Sequence, residues 1–347
     1  MVKTLDGSLW ATGGNNFGQL GDENITSTST FLQVISNDVK EIAAGRTHSL
    51  VLKNTGSLLA TGSNDFGQLG DGTNADSRSF VTVLDGGVKA VAAGDHGSFI
   101  LKDDNSLWAT AVDNFGQSTS ELDDSGFVRV VDDVKAVVSG RSYTLVLKEN
   151  GSLWALGSNE NGQLGEGLVE VLDGGVKAVA AGDSHCVILK EDGSVWAKGD
   201  NEHGQLGDGT TTDRETFVQV FDSDVKAVAA GDYHTIILKE DGSLLTSGLN
   251  NKGQLGDDTT TNRPSFEEVV KGAEAIAAGA LHSMILGEDG NVWATGWNKN
   301  GQLGDGTTTD RHTFVNVFTI SATEKLNHHS TCAVVFWLIV GPIFSLI

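Results

Sequence analysis

Short apolar runs separated by glycine-rich polar loops recur along the whole chain. One unit reads Val176-Lys-Ala-Val-Ala-Ala-Gly182, then His185-Cys-Val-Ile-Leu-Lys190, then a turn at Glu191-Asp192-Gly193. It continues with Ser194-Val-Trp-Ala-Lys-Gly199 and a loop from Asn201 to Gly209. Asp-Gly between two apolar runs predicts a hairpin, because glycine accepts the positive φ that primed turns need. No long window carries apolar positions at i, i+3, i+4 and i+7, so helices are expected to be few.

The unit is written seven times. Gly-Gln pairs start at Gly18, Gly67, Gly116, Gly162, Gly204, Gly253 and Gly301, with spacings of 49, 49, 46, 42, 49 and 48 residues. A turn marker moves with them, at Gly7, Gly56, Asn105, Gly151, Gly193, Gly242 and Gly290. A third marker, Ala-Ala-Gly, ends at Gly45, Gly94, Gly182, Gly231 and Gly279, with a degenerate Val-Ser-Gly ending at Gly140. Units of this length with about four short strands suit propeller blades, each burying its faces against its neighbours. The expected fold is therefore all-β: a seven-bladed β-propeller of four-stranded antiparallel blades, one domain over 1–335 with an apolar tail over 336–347. Residues 2–22 lack the strand that opens every other unit, and residues 319–335 fall where its next copy is due. The C-terminal segment is thus expected to pair with the N-terminal blade, close the ring and remove two sheet edges.

Composition narrows the function. The formal charge is −23, so a phosphate backbone is repelled and direct nucleic-acid binding is disfavoured. Two cysteines, Cys186 and Cys332, make neither a disulfide framework nor a zinc motif. The N-terminal residues carry no secretory signal; a cytoplasmic protein is expected, with a tail-anchored or cell-surface one as the alternatives. The uncharged run from Cys332 to Ile347 falls short of the ~20 apolar residues of a spanning helix and contains Gly341-Pro342. A closing strand and a membrane tail are the two readings it allows.

Residues that recur in every unit read as scaffold. The glutamine of each Gly-Gln pair, Gln19 through Gln302, is expected to tie down loop backbone. Trp10, Trp108, Trp154, Trp196 and Trp293 are expected between blades. His48, His185, His234 and His282 follow Ala-Ala-Gly at one offset, with Gly97 and Tyr143 in that place elsewhere. Spread around a ring, they cannot converge on one metal ion, so a structural histidine bonded to backbone is expected. The Asp208–Asp213 and Asp305–Asp310 loops lack calcium-loop spacing and read as turns. Arg78, Arg214, Arg263 and Arg311 are grouped as one repeat position. No cofactor or metal is implied.

Function is sought where equivalent positions differ. The two residues after each Ala-Ala-Gly glycine vary most, giving a candidate partner-binding face of Arg46, Asp95, His96, Arg141, Asp183, Asp232, Tyr233 and Leu281. Exposed charged and aromatic groups on a rigid rim are what a recognition surface needs. The shortened spacings around units three and four predict one sector of the ring with lower walls.

These ordered motifs resemble the regulator-of-chromosome-condensation repeat family, whose unit is similar to Ala-Ala-Gly-x-x-His, then Asp-Gly-x-Leu-Trp, then Asn-x-x-Gly-Gln-Leu-Gly. The resemblance spans roughly residues 2–318 and implies a seven-bladed propeller. One branch of that family promotes guanine-nucleotide exchange on a small GTPase and binds chromatin through a basic N-terminal tail, which this chain lacks. The plant ultraviolet-B photoreceptor branch has tryptophan where Arg46, Asp95, Arg141, Asp183, Asp232 and Ala280 stand here, so photoreception is not implied. The expectation is a monomeric, non-enzymatic protein-interaction scaffold. The alternative is an exchange factor for a small GTPase.

Overall fold

Runs such as His185–Lys190 have no polar face because both of their faces are covered. In the computed structural model, successive residues of this strand enter different cores: Cys186 and Ile188 pack toward the preceding sheet, Val187 and Leu189 toward the following one. Such alternation buries every residue of a short strand, and each fully buried valine, leucine or isoleucine contributes about 1.5–3 kcal/mol. The structure describes residues 1–23, 27–110, 126–141, 143–157 and 168–319, with the backbone of Val335–Phe336.

Seven four-stranded antiparallel sheets form the fold, and the described residues contain no helix. The fifth blade shows the plan. Val176–Ala181 is innermost, His185–Lys190 and Val195–Gly199 follow, and Arg214–Phe221 is outermost. Residues face one another at His185↔Gly199, Ile188↔Trp196 and Trp196↔Gln219. The hairpin turns have the expected backbone, with φ of +81° at Gly193. Asn105 takes 62° where the third unit lacks glycine. Second, third, fourth, sixth and seventh blades begin at Val39, Val88, Val134, Val225 and Ala273. In the first blade Val335–Phe336 pairs antiparallel with Val2–Lys3, in the slot the innermost strand takes elsewhere. The remainder of the tail, the shortened loops around Gly116 and Gly165 that would lower one wall, and Gln117 and Gln163 lie outside the described residues.

What joins blade to blade is the Gly-Gln loop. Each described loop docks on the outer edge of the next blade, where its last glycine lies close against a phenylalanine ring: Gly21 on Phe80, Gly70 on Phe127, Gly207 on Phe266, Gly256 on Phe314. The same contact joins the last blade to the first, Gly304 against Phe31. There the Gly306 N–H also donates to the Ser29 carbonyl at 2.8 Å. Val2 shares a core with Met284, Leu286 and Val292 of the seventh blade.

Within each described loop an asparagine is the organiser. Asn201 donates Nδ2–H to Asp208 Oδ1 at 3.1 Å and to the Thr210 carbonyl at 3.1 Å, and its Oδ1 accepts the Leu206 N–H at 3.0 Å. The glutamine acts as expected on backbone: Gln205 Oε1 accepts the His203 N–H at 3.0 Å, and Gln19, Gln68, Gln254 and Gln302 repeat the bond. Asp208 is consumed by the loop as well, its second oxygen bonded by Arg214 Nε at 2.7 Å. Asp257–Arg263 and Asp305–Arg311 match it. Arg78 does not. Gly62 pairs with Ser77, as Gly199 pairs with Arg214, so Ser77 holds the repeat position. Arg78 sits one residue on, reaching the Asn15 carbonyl at 3.4 Å.

Candidate functional site

Each Ala-Ala-Gly strand ends in a two-residue tip. The Gly182 N–H donates to the His185 carbonyl at 2.8 Å, closing a turn that leaves Asp183 and Ser184 at its apex; Gly45, Gly94, Gly140 and Gly231 close the same turn. Glycine is required here for close approach rather than for a positive φ. A Cβ on Gly231 would strike the His234 ring and lie 2.5 Å from the Gly279 carbonyl oxygen of the next blade. We expect Gly231→Ala to lose about 2–3 kcal/mol by overpacking. Gly175→Ala, with φ +75° and open space, should lose only about 1 kcal/mol. Urea denaturation of both variants checks the contrast, and equal losses would contradict the packing.

Beneath the tips the histidines lock blade to blade. His48 Nε2 lies 2.9 Å from Ser98 Oγ, and His185 and His234 make the same contact with Thr235 and Ser283 at 3.0 Å. Each hydroxyl in turn donates to the carbonyl of a loop glutamine, Gln68, Gln205 or Gln254, at 2.6 Å. With its hydrogen committed there, the hydroxyl accepts from the imidazole, so Nε2 carries the proton. For His48 and His234 this corrects the expectation of a backbone partner, because the histidine bonds a side chain of the following blade; His185 bonds the Asp232 backbone as well. Tyr143, in the same position, does reach backbone, donating to the His185 carbonyl. Burial lowers the four imidazoles to about 3 for His48, His234 and His282, and about 4 for His185. The Nδ1 atoms of His48 and His234 are buried with no partner among the described residues, so a second ring proton would go unbonded. The tryptophans lie where blades meet, Trp154 against the third–fourth core and Trp196 against the fourth–fifth.

The tips converge. Arg46 reaches Asp95 of the next blade at 3.3 Å, Arg141 reaches Asp183 at 3.8 Å, and Tyr233 Oη donates to Asp183 at 3.4 Å. Backbone links run the same way, from the Asp183 N–H to the Asp232 carbonyl at 3.1 Å and from the Asp232 N–H to the Ala280 carbonyl at 3.0 Å. Asp95, Asp183 and Asp232 come from three different blades yet act on one another. Burial, then the charges of Asp183 and Asp95, push Asp232 up to about 6, against the pull of Arg46 and Arg141. Burial also raises Asp95, opposed by Arg46. The two guanidinium side chains stand 58% and 56% exposed over carboxylates that are 24% and 13% exposed. The arrangement is a partly desolvated acidic floor under two exposed cationic arms.

Six of the eight residues singled out from sequence thus meet at one mouth of the ring: Arg46, Asp95, Arg141, Asp183, Asp232 and Tyr233. His96 packs on Phe66, with ring centroids 4.7 Å apart, and acts electrostatically against the burial that raises the Asp95 carboxyl. Leu281 is half-buried at the seventh tip, its carbonyl taken by the Trp297 N–H at 2.8 Å. Ser142 lies outside the described residues. Sequence reasoning missed the residue before each Gly-Gln pair. Phe66, 57% exposed, extends the face beside His96, and His203 meets Tyr233 edge-on at 5.5 Å. The signal was present: this position holds Phe17, Phe66, His203, Lys252 and Asn300, as variable as the tips.

Two models of one repeat match the chain. The regulator of chromosome condensation (RCC1) repeat matches over 6–52, 55–101, 192–238 and 241–286, and its second form over 39–68, 134–163, 176–205, 225–254 and 273–302. No curated protein matches. Among solved structures, yeast RCC1 (Prp20) bound to Kap60 is similar at a TM-score of 0.79 and 20% identity, over 92% of this chain and 85% of that one. Prp20p from Saccharomyces cerevisiae, characterised with its binding to Gsp1p and histones, has the same score and identity over 92% and 88%. Human WBSCR16 has a TM-score of 0.79 at 18% identity, over 90% and 94%.

Proposed function

The chain belongs to the regulator of chromosome condensation (RCC1) repeat family, and from that premise we propose that it is a non-enzymatic docking protein that engages a protein partner with the mouth built by its Ala-Ala-Gly tips. The observation that carries this reading is the convergence of Asp95, Asp183 and Asp232 beneath Arg46 and Arg141. Partly desolvated carboxylates have already lost much of their hydration, so a lysine or arginine entering the mouth gains charge-assisted hydrogen bonds at reduced desolvation cost. Phe66, packed at a tilt against His96, supplies an exposed aromatic anchor beside that polar floor. A partner segment with a basic side chain flanked by apolar ones fits both.

The test is quantitative affinity capture with Asp183→Ala/Tyr233→Ala, against Lys102→Gln on the opposite end of the ring. A partner retained by the native chain and by Lys102→Gln should bind the double variant about 30-fold more weakly. Equal retention by all three would remove the mouth as the docking site. Similarity to Prp20p, characterised with its binding to Gsp1p, favours a second reading, guanine-nucleotide exchange on a small GTPase. Release of labelled GDP from a candidate GTPase separates the two: acceleration at catalytic amounts of the protein supports exchange, and an unchanged rate supports docking alone.

A further inference from the structure

At the other end of the channel, six innermost strands share one irregularity. Pairing with the neighbouring strand passes from Val39 to Glu41, Val88 to Ala90, Val134 to Ala136, Val176 to Ala178, Val225 to Ala227 and Ala273 to Ala275. The skipped residue is lysine in five blades, at 40, 89, 135, 177 and 226, and Glu274 in the seventh. A bulge re-aims its side chain; here Lys40 and Lys226 run along the mouth to the next blade, while Lys89 Nζ donates to Asn105 Oδ1 of its own blade's hairpin turn at 2.7 Å. Lys40 Nζ donates to the Lys89 carbonyl at 2.9 Å, Lys226 Nζ to the Glu274 carbonyl at 3.0 Å, and Lys3 Nζ of the first blade to the Lys40 carbonyl at 3.0 Å. Each such bond uses one of three ammonium hydrogens. Lys3 lies on the second strand of its blade, behind Val335–Phe336; on the second strands of the third and fifth blades Lys102 and Lys190 are instead occupied by Trp108 and Trp196, with Nζ 3.6 and 4.0 Å from the ring centroids.

Around this cationic ring lies an anionic one. The hairpin turns after the second strands carry Asp104, Asp192 and Asp241, whose carboxylates accept the Ser106, Ser194 and Ser243 N–H groups at 2.9 Å. We propose that the lysine-ringed mouth binds a compact polyphosphate, small enough to sit inside the ring of six amines. Size decides the class. A long polyanion must cross the outer carboxylates and meets a chain of net charge −23. A ligand within the mouth stays inside one Debye length, about 8 Å in physiological salt, of the amines themselves. Lysine serves such a ligand as a point charge, free of the planar geometry arginine imposes.

Calorimetric titration of the full chain with inorganic tripolyphosphate tests this. One saturable site per chain is expected, weakened at least about tenfold in Lys89→Gln/Lys135→Gln/Lys177→Gln and within about twofold of native in Lys102→Gln/Lys190→Gln. Amine-reactive labelling of the unsubstituted chain gives a second readout independent of the variants' folding. Tripolyphosphate should protect Lys89, Lys135 and Lys177 while leaving Lys102 and Lys190 unchanged. Absence of saturable binding, equal weakening in both variants, uniform protection, or tighter binding of a single-stranded oligonucleotide than of tripolyphosphate would each overturn the proposal.

Discussion

Between pH 7 and pH 4 the protein is expected to lose most of its stability, and the four buried histidines are the reason. Their folded values of about 3 to 4 lie below the ordinary 6.5, so the unfolded chain binds protons that the folded chain refuses. The stability they contribute is complete above 6.5 and is lost as pH falls toward their folded values. At 1.36 kcal/mol per unit, each histidine withdraws about 2 kcal/mol by pH 5. Raised carboxyls oppose this: Asp95 is raised by burial, and Glu41 and Asp232, with values of about 8 and about 6, gain protons on the folded side first. For the four histidines with Glu41 and Asp232 the net loss is on the order of 3 kcal/mol by pH 5 and 7 kcal/mol by pH 4, against the 5–15 kcal/mol of an ordinary fold. Urea titrations at pH 7 and pH 5 measure it. His234→Gln should be less stable at pH 7 yet lose about 2 kcal/mol less than the native chain between those values. An unchanged pH slope in that variant would contradict the assignment.

Glu41→Ala is expected to stabilise the protein, by about 4 kcal/mol at pH 9 and almost nothing at pH 5. The other innermost strands hold alanine here, at positions 90, 136, 178, 227 and 275. Glu41 is 7% exposed, and burial is what lifts its carboxyl to about 8, with Lys40 and Lys3 giving partial relief. Its acceptor contact with the Val91 N–H is long, 3.4 Å, so little is forfeited with the side chain. A raised carboxyl is tolerated below its unfolded value of 4.5 and penalises the fold as pH rises through 8. Denaturation of both chains at pH 5 and pH 9 decides the matter, and a variant that is less stable at pH 9 would refute the account. Removal of Glu41 also takes from Lys3 the anionic neighbour that raises its amine against the downward pull of burial. The substitution therefore also alters the first blade's share of the lysine-ringed mouth.

The blade count and strand order were legible because glycine, tryptophan and the Ala-Ala-Gly tips punctuate a repeat whose spacing barely varies. The convergence of the tips was legible too, since equivalent corners of a closed ring must share a rim. What sequence reasoning missed lies in contacts between copies. His48 meets Ser98 fifty residues along, and no local pattern announces a hydroxyl in the next unit as its partner. Phe66 was overlooked for the same reason, its neighbour His96 belonging to the following blade. Arg78 misled because an arginine one place from the repeat position looks like a member of it, whereas strand pairing gives that place to Ser77. The lysine ring was visible as Val-Lys in unit after unit, but only the bulge shows where those side chains go.

Everything proposed for either mouth depends on the chain returning to its own beginning, and one cross-link tests this directly. A Cβ on Gly14 would lie 3.9 Å from Cβ of Asn300, within the about 3.5–4.5 Å a disulfide spans, and the φ of Gly14 is not in the left-handed region. In a Cys332→Ser background, Gly14→Cys/Asn300→Cys should oxidise to a single intrachain disulfide, seen as faster migration of the monomer on a non-reducing gel and loss of both free thiols. Thiols that remain reduced, or that pair only between chains, would show that the first and seventh blades do not meet.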